Sequence, residues 1–246
     1  MRNATKRSQL YENISPVTKA RHVGIEIEFF CNLNERQIAD KLLESPIKDY
    51  VTIKDDGSIE PDGYCEYDDE GEGPQGYELC VLVTEKEIPT IVPQVSKFLR
   101  SIRAKVNDTC GLHVHLDMRN RNPSTAFKNL ALAQTVLYDM CPDYRRHGEY
   151  SKESDITDFN LAENLERYVG INAQAMRKFK TLEVRIHHGT VRRTDIQKWS
   201  ELLIKIADSR NIDKKIHNRS ELNKAVKLGR SLGSYVGRRL SKYQKE

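Results

Sequence analysis

Apolar and polar residues alternate with a period of two in four segments of this chain, and each alternation predicts a strand with one apolar and one polar face. The first is His22–Cys31, HVGIEIEFFC, with Ile25, Ile27 and Phe29 on one face and Glu26 and Glu28 on the other. GYELCVLV (76–83) sets Tyr77, Leu79, Val81 and Val83 against Glu78 and Cys80. CGLHVHLDM (110–118) sets Leu112, Val114 and Leu116 against His113 and His115. TLEVRIHH (181–188) sets Leu182, Val184 and Ile186 against Glu183, Arg185 and His187. A shorter strand, YVTIK (50–54), enters the turn DDGS.

Helical signals lie between the strands. NLNERQIADKLLE offers Asn32 or Asn34 as N-cap and ends just before Pro46. Further helices are expected over 88–105, with Pro89 in the first turn, over 123–140 from Pro123, near 160–170, and over 194–209, where Trp199 belongs to the core. Residues 60–76 are acidic, rich in Gly and without apolar periodicity, so they read as a mobile surface loop or lid. Residues 141–160 read as irregular. Half-buried strands interleaved with helices imply an α+β fold with a largely antiparallel sheet. The expected organisation is a polar lead-in (1–20), one catalytic domain (21–210) and a basic, helical tail (211–246).

Composition narrows this picture. A chain of 246 residues, 38% hydrophobic and 31% charged, supports a domain with a real core. No apolar run has the length of a membrane span, and the N-terminus lacks the apolar stretch of a signal peptide, so a cytoplasmic location without membrane contact is the default expectation. The five cysteines, Cys31, Cys65, Cys80, Cys110 and Cys141, form no CxxC pair. Reduced thiols used as buried fillers are expected, rather than a disulfide framework or a cysteine zinc site. A net charge of +4 does not by itself imply a nucleic-acid partner. The tail is locally basic, however, through Lys214, Lys215, Arg219, Lys224, Lys227, Arg230, Arg238, Arg239 and Lys242. A solvated helix is one reading of that stretch; contact with nucleic acid or an acidic macromolecular substrate is the other.

The chemistry sits on the polar faces. A wet strand face ordinarily mixes Thr, Lys, Ser and Gln. Here the faces carry ExE, HxH and ExR, and four such strands together predict a site. Magnesium prefers hard oxygen ligands, and ionised carboxylates sharing a cavity repel one another unless cations intervene. Arginine among them fits a phosphoryl oxygen or a substrate carboxylate. His187 is open to a site role or a structural one, whereas His188 faces the apolar side as a structural histidine; His22 and His147 read as surface residues.

The ordered set GIEIEF, DDGSI, GYEL, CGLHVHLD, RYVGIN and TLEVRIHHGT spans roughly residues 21–200. It resembles the amidoligase family, small carboxylate–amine ligases of the glutamine synthetase and glutamate–cysteine ligase superfamily. The resemblance implies a curved antiparallel sheet of glutamine synthetase catalytic-domain type, with helices packed on its convex face. Its concave face would hold ATP and two or more Mg²⁺ or Mn²⁺ ions. Glu26 and Glu28 then look like ligands of two different ions, joined by Glu78, His113 and Glu183. His115 looks like a contact to ATP phosphates, Arg185 steadies the transferred phosphoryl group, and Arg167 and Asn172 look like substrate or nucleotide contacts. The family pattern has one more Glu, for which Glu60, Glu66 and Glu72 compete. Asp56 is either the acceptor of the amine's proton or an ordinary turn residue.

The implied reaction joins a carboxylate to an amine, drawn from amino acids, polyamines, peptides or modified biopolymers, through an acyl phosphate. The alternatives are a glutamate–cysteine-ligase-like or guanidino-kinase-like phosphotransfer enzyme, a metal- or nucleotide-binding module without turnover, and a metal hydrolase built on HxH.

Overall fold

The period-two segments fold as strands at almost the bounds their alternation predicts. In the computed structural model, which describes residues 20–61, 73–164 and 166–244, β1 is His22–Cys31, β2 Val51–Asp55 and β3 Gln75–Thr84. Most of the expected lead-in and most of the 60–76 loop, including Glu66, Glu72 and Cys65, lie outside the described residues. The chain divides into two compact units, Met1–Leu112 with Gly189–Gln197, and His113–His188 with Lys198–Glu246.

In the first unit β3 pairs antiparallel with both β1 and β2. The strand order is β2-β3-β1-β4, where β4, Gly111–Asp117, contributes its first residues. The register places Glu28 opposite Glu78, which lies opposite Lys54; Glu26 lies opposite Cys80, which lies opposite Thr52. A slip of one residue would exchange this polar row for the core row of Ile25, Ile27, Leu79 and Val81, so burial of the apolar face fixes the polar one. Helix α1, Glu35–Leu43, packs on β2. Asn34, not Asn32, caps it: Asn34 Oδ1 accepts from Gln37 N at 3.0 Å and Asn34 N donates to Gln37 Oε1 at 3.0 Å, a reciprocal capping box. Helix α2, Ile88–Ser101, packs on β3 and buries Ile91, Val92, Val95, Phe98 and Leu99. It stops short of the expected residue 105 because Arg103 adopts a left-handed φ of 55°, which a continuing helix does not allow.

In the second unit the strand order is β4-β6-β5, with β6 at Thr181–His188 and β5 a two-residue strand, Ile171–Asn172, paired antiparallel with it. Helix α3, Pro123–Tyr138, is apolar almost all round and buried to match, and it packs on β6. Short helices follow: α4 (Tyr144–His147), α5 (Phe159–Ala162) and α6 (Ala175–Phe179). Only the first turn of the helix expected near 160–170 forms, capped by Asp158 Oδ1 accepting from Leu161 N at 3.0 Å. Helix α7, Arg193–Ala207, begins in the first unit and continues in the second, where Trp199 is fully buried. The tail forms α8, Arg219–Val226, and α9, Gly229–Tyr243, which pack on each other.

The fold is therefore α+β with antiparallel strands. The alternation marks polarity rather than wetness. Glu26, Glu28, Glu78, His113, His115 and Glu183 are all 7% exposed or less. Burying so many ionisable groups costs free energy unless partners or bound ions stabilise them. Among the described residues no helix is long and apolar enough to cross a membrane.

Candidate functional site

Both units carry buried polar residues of the expected site. In the first, register alone brings Glu26, Glu28, Glu78 and Cys80 onto neighbouring positions of β1 and β3. Ligand atoms of Glu28, Asp56 and Glu78 lie within 4.8 Å of one another, and so do those of Glu26, Glu78 and Cys80. Glu78 belongs to both sets. Two overlapping sets with a shared carboxylate could hold divalent cations. The Cys80 thiol donates to Glu78 Oε1 at 2.8 Å, and the hard carboxylate oxygens are the better ligands for a hard cation.

Three further groups tune this cluster. Lys54 Nζ lies 2.8 Å from Glu78 Oε2 and offsets part of the carboxylate charge. The backbone N–H of Gly111 donates to Glu28 Oε2 at 2.5 Å and fixes that side chain. Asp56 Oδ1 accepts from Ser58 N at 3.0 Å and Ser58 Oγ at 2.6 Å. The two readings of Asp56 thus coexist: it closes an Asx turn with one oxygen and still lies among the carboxylates. Glu60 is exposed and belongs to neither set; its backbone N donates to Thr109 Oγ1 at 3.1 Å.

In the second unit the centre is Glu183 on β6. Its Oε1 lies 2.6 Å from Arg185 Nη1 and 3.7 Å from both His113 Nδ1 and His115 Nε2. Its Oε2 accepts from Asn172 Nδ2 at 2.8 Å, across the β5–β6 pair that sets these two residues opposite each other. Burial pushes the Glu183 pKa up, but His115, Arg185 and the Asn172 hydrogen bond outweigh it and hold the carboxyl below its ordinary value. His115 is oriented by Thr181 Oγ1, 2.9 Å from its Nδ1, and by the edge of the Phe179 ring. Arg185 Nε donates to the carbonyl of Tyr150 at 2.9 Å, which aims the guanidinium along the strand toward Glu183. A fixed carboxylate, two imidazoles and a guanidinium within one buried group can hold an anion and a cation side by side.

The remaining expected residues fall elsewhere. Arg167 is exposed, and its guanidinium bonds the hydroxyl of Tyr168 and lies 4.6 Å from that ring's centroid. His187 is fully buried, with its ring stacked on His188 and 4.9 Å from Trp199, and its Nδ1 is 2.6 Å from the His188 carbonyl. That packing is structural. His188 is half-buried, with Nδ1 3.2 Å from Arg239 Nη2. Burial, then the charges of Arg239, Arg145 and Lys242, push its pKa down to about 3. Cys31, Cys80, Cys110 and Cys141 are buried free thiols.

Several contributors escaped the sequence reading. Lys54 was legible, since the alternation of YVTIK puts Thr52 and Lys54 opposite Val51 and Ile53. Gly111 acts through its backbone and Thr181 through a contact made by tertiary packing, so neither leaves a pattern in the chain. No protein-family model matches the chain, and no curated protein matches it.

Proposed function

We propose that this protein is an ATP- and magnesium-dependent carboxylate–amine ligase of the amidoligase kind, with a curved sheet of glutamine synthetase type. The observation that carries the reading is the pair of overlapping carboxylate sets sharing Glu78, buried on paired strands. A buried cluster of this composition suits hard divalent cations and has little value as structure alone, because each carboxylate would be better solvated outside. Glu26, Glu28 and Glu78 are the cation ligands of the first unit, and His113 and Glu183 those of the second. Bound cations supply charge stabilisation for phosphoryl oxygens.

Arg185 steadies the transferred phosphoryl group, and Glu183 holds its guanidinium in place at 2.6 Å. His115, oriented by Thr181, donates to phosphate oxygens. The substrate carboxylate attacks the γ-phosphorus of ATP and ADP leaves, giving an acyl phosphate. The amine then attacks the acyl carbon, phosphate departs, and Asp56 accepts the amine's proton. Asn172 positions Glu183.

The test is ADP release with Mg²⁺ or Mn²⁺ against pools of amino acids, polyamines and peptides, with mass spectrometry of the products. Amine-dependent ADP release with an amide product is expected. Glu28→Ala and Glu183→Ala should abolish turnover while circular dichroism stays unchanged. Normal turnover in both variants would rule out this site. Nucleotide binding without turnover would favour the binding module, and ester hydrolysis without ATP would favour the metal hydrolase.

A further inference from the structure

The tail carries a second feature, independent of the chemistry proposed above. Helices α8 and α9 border a groove lined by Arg219, Arg230, Arg238 and Lys242, and no carboxylate among the described residues lines it. All four cations are exposed, and none forms an ion pair among the described residues. Two other cations of the tail turn to partners within the protein. Arg239 turns inward, 7% exposed, and donates to the Met140 carbonyl at 2.9 Å. Lys215 pairs with Asp155 at 2.9 Å. The nearby carboxylate of Glu221 accepts from His217 N at 2.8 Å and is not part of the lining.

Spacing organises the groove. Arg230, Ser234, Arg238 and Lys242 recur every four residues along α9, about 6 Å apart on one helix face. Gly229, Gly233 and Gly237 repeat at the same interval and keep the floor low. A Cβ at Gly237 would stand 2.9 Å from Arg219 Nη1, so the missing side chain is what lets the Arg219 guanidinium lie over α9. Arg238 Nη1 donates to Ser234 Oγ at 2.9 Å, and Ser220 and Ser241 add hydroxyls to the lining.

We propose that this groove binds the sugar–phosphate backbone of a nucleic-acid duplex without regard to sequence. Guanidinium forks beside hydroxyls are the donors that phosphate oxygens take. A protein partner needs apolar or aromatic anchors at the centre of its footprint, and the lining provides only Leu228. A single strand gains from aromatic stacking platforms, and the groove has none.

The experiment uses the full chain and a short labelled DNA duplex of mixed sequence, with binding followed by fluorescence anisotropy over a salt series. Four neutralised phosphates give a slope of log K against log salt of about −3.6. The double variant Arg230→Gln/Arg238→Gln should weaken binding roughly tenfold at low salt and reduce the slope by about 2. The control pair Lys224→Gln/Lys227→Gln removes exposed cations outside the groove and should leave the curve close to wild type. Equal losses in the two double variants would overturn the groove, as would a flat salt dependence. Polyglutamate competing as well as unlabelled duplex would overturn the choice of partner and assign the surface to acidic polypeptides.

Discussion

Glu78 concentrates the electrostatic problem of the first unit. It is 4% exposed, receives the Cys80 thiol on one oxygen and Lys54 on the other, and lies among three further carboxylates, Glu26, Glu28 and Asp56. The Lys54 side chain is 39% exposed, so solvent screens its ion pair and its net contribution is about 1 kcal/mol or less. Lys54→Met should therefore lower the melting temperature slightly in EDTA, and millimolar Mg²⁺ should narrow the difference by replacing the lost positive charge. A gap that ignores the metal would count against cation binding at Glu78. Asn172 poses the same question for Glu183. Truncation in Asn172→Ala removes the 2.8 Å donor from a buried carboxylate, and a loss of about 1–3 kcal/mol is expected in urea denaturation.

At the scale of the element, β6 carries the acid sensitivity of the second unit. His187 and His188 both have pKa values depressed below 6.5, mainly by burial, with the charges of Arg239 and Arg145 adding to it. Below pH 6.5 the unfolded chain takes up protons that the folded chain refuses, so stability falls as pH drops from 6.5 toward 3. His188 alone then costs about 2 kcal/mol between pH 6.5 and 5, and His187 adds a loss of the same sign. Glu183, with its pKa held below 4.5, adds its own loss only below that value. Urea midpoints at pH 7 and pH 5 measure the slope, and His188→Gln should flatten it. Helix α9 offers a contrast between two glycines. A Cβ at Gly233 finds its nearest neighbour at 3.7 Å, so Gly233→Ala should stabilise by about 0.5–1 kcal/mol. Gly229 has a φ of +68°, and Gly229→Ala should destabilise by about 1 kcal/mol despite open space around it.

For the whole molecule, the proposed cation sites would link metal occupancy to global stability. If Mg²⁺ or Mn²⁺ binds the folded chain alone, a concentration about 100 times Kd adds about 2.7 kcal/mol to unfolding. Thermal melts across a metal titration should shift upward, and Glu28→Gln should blunt the shift while leaving the metal-free melt close to wild type. An unchanged melt across the titration would remove the main support for a cation-dependent ligase. The proposed binding at the basic groove of α8 and α9 belongs to this scale too, because its cations would bias where on a chain of net charge +4 a polyanion first lands.

The chain by itself determined the strands of strongest alternation and the residue types on their polar faces. Period two survives any tertiary arrangement that keeps one face buried, which is why β1 and β6 form at the expected bounds and why Glu26, Glu28, Glu78, His113, His115 and Glu183 were legible. Weaker signals were overruled. Two residues are too few for periodicity to mark β5, and the left-handed φ at Arg103 and at Lys180, the C-cap of α6, falls on residue types whose propensity does not mark it. Tertiary structure alone decided the burial of the polar faces, the partnership of Glu28 with the Gly111 amide, the hold of Asn172 on Glu183 and the packing of His187 against Trp199. These depend on which distant segments meet, and a one-dimensional pattern of hydrophobicity records the face a residue takes but not what it meets there.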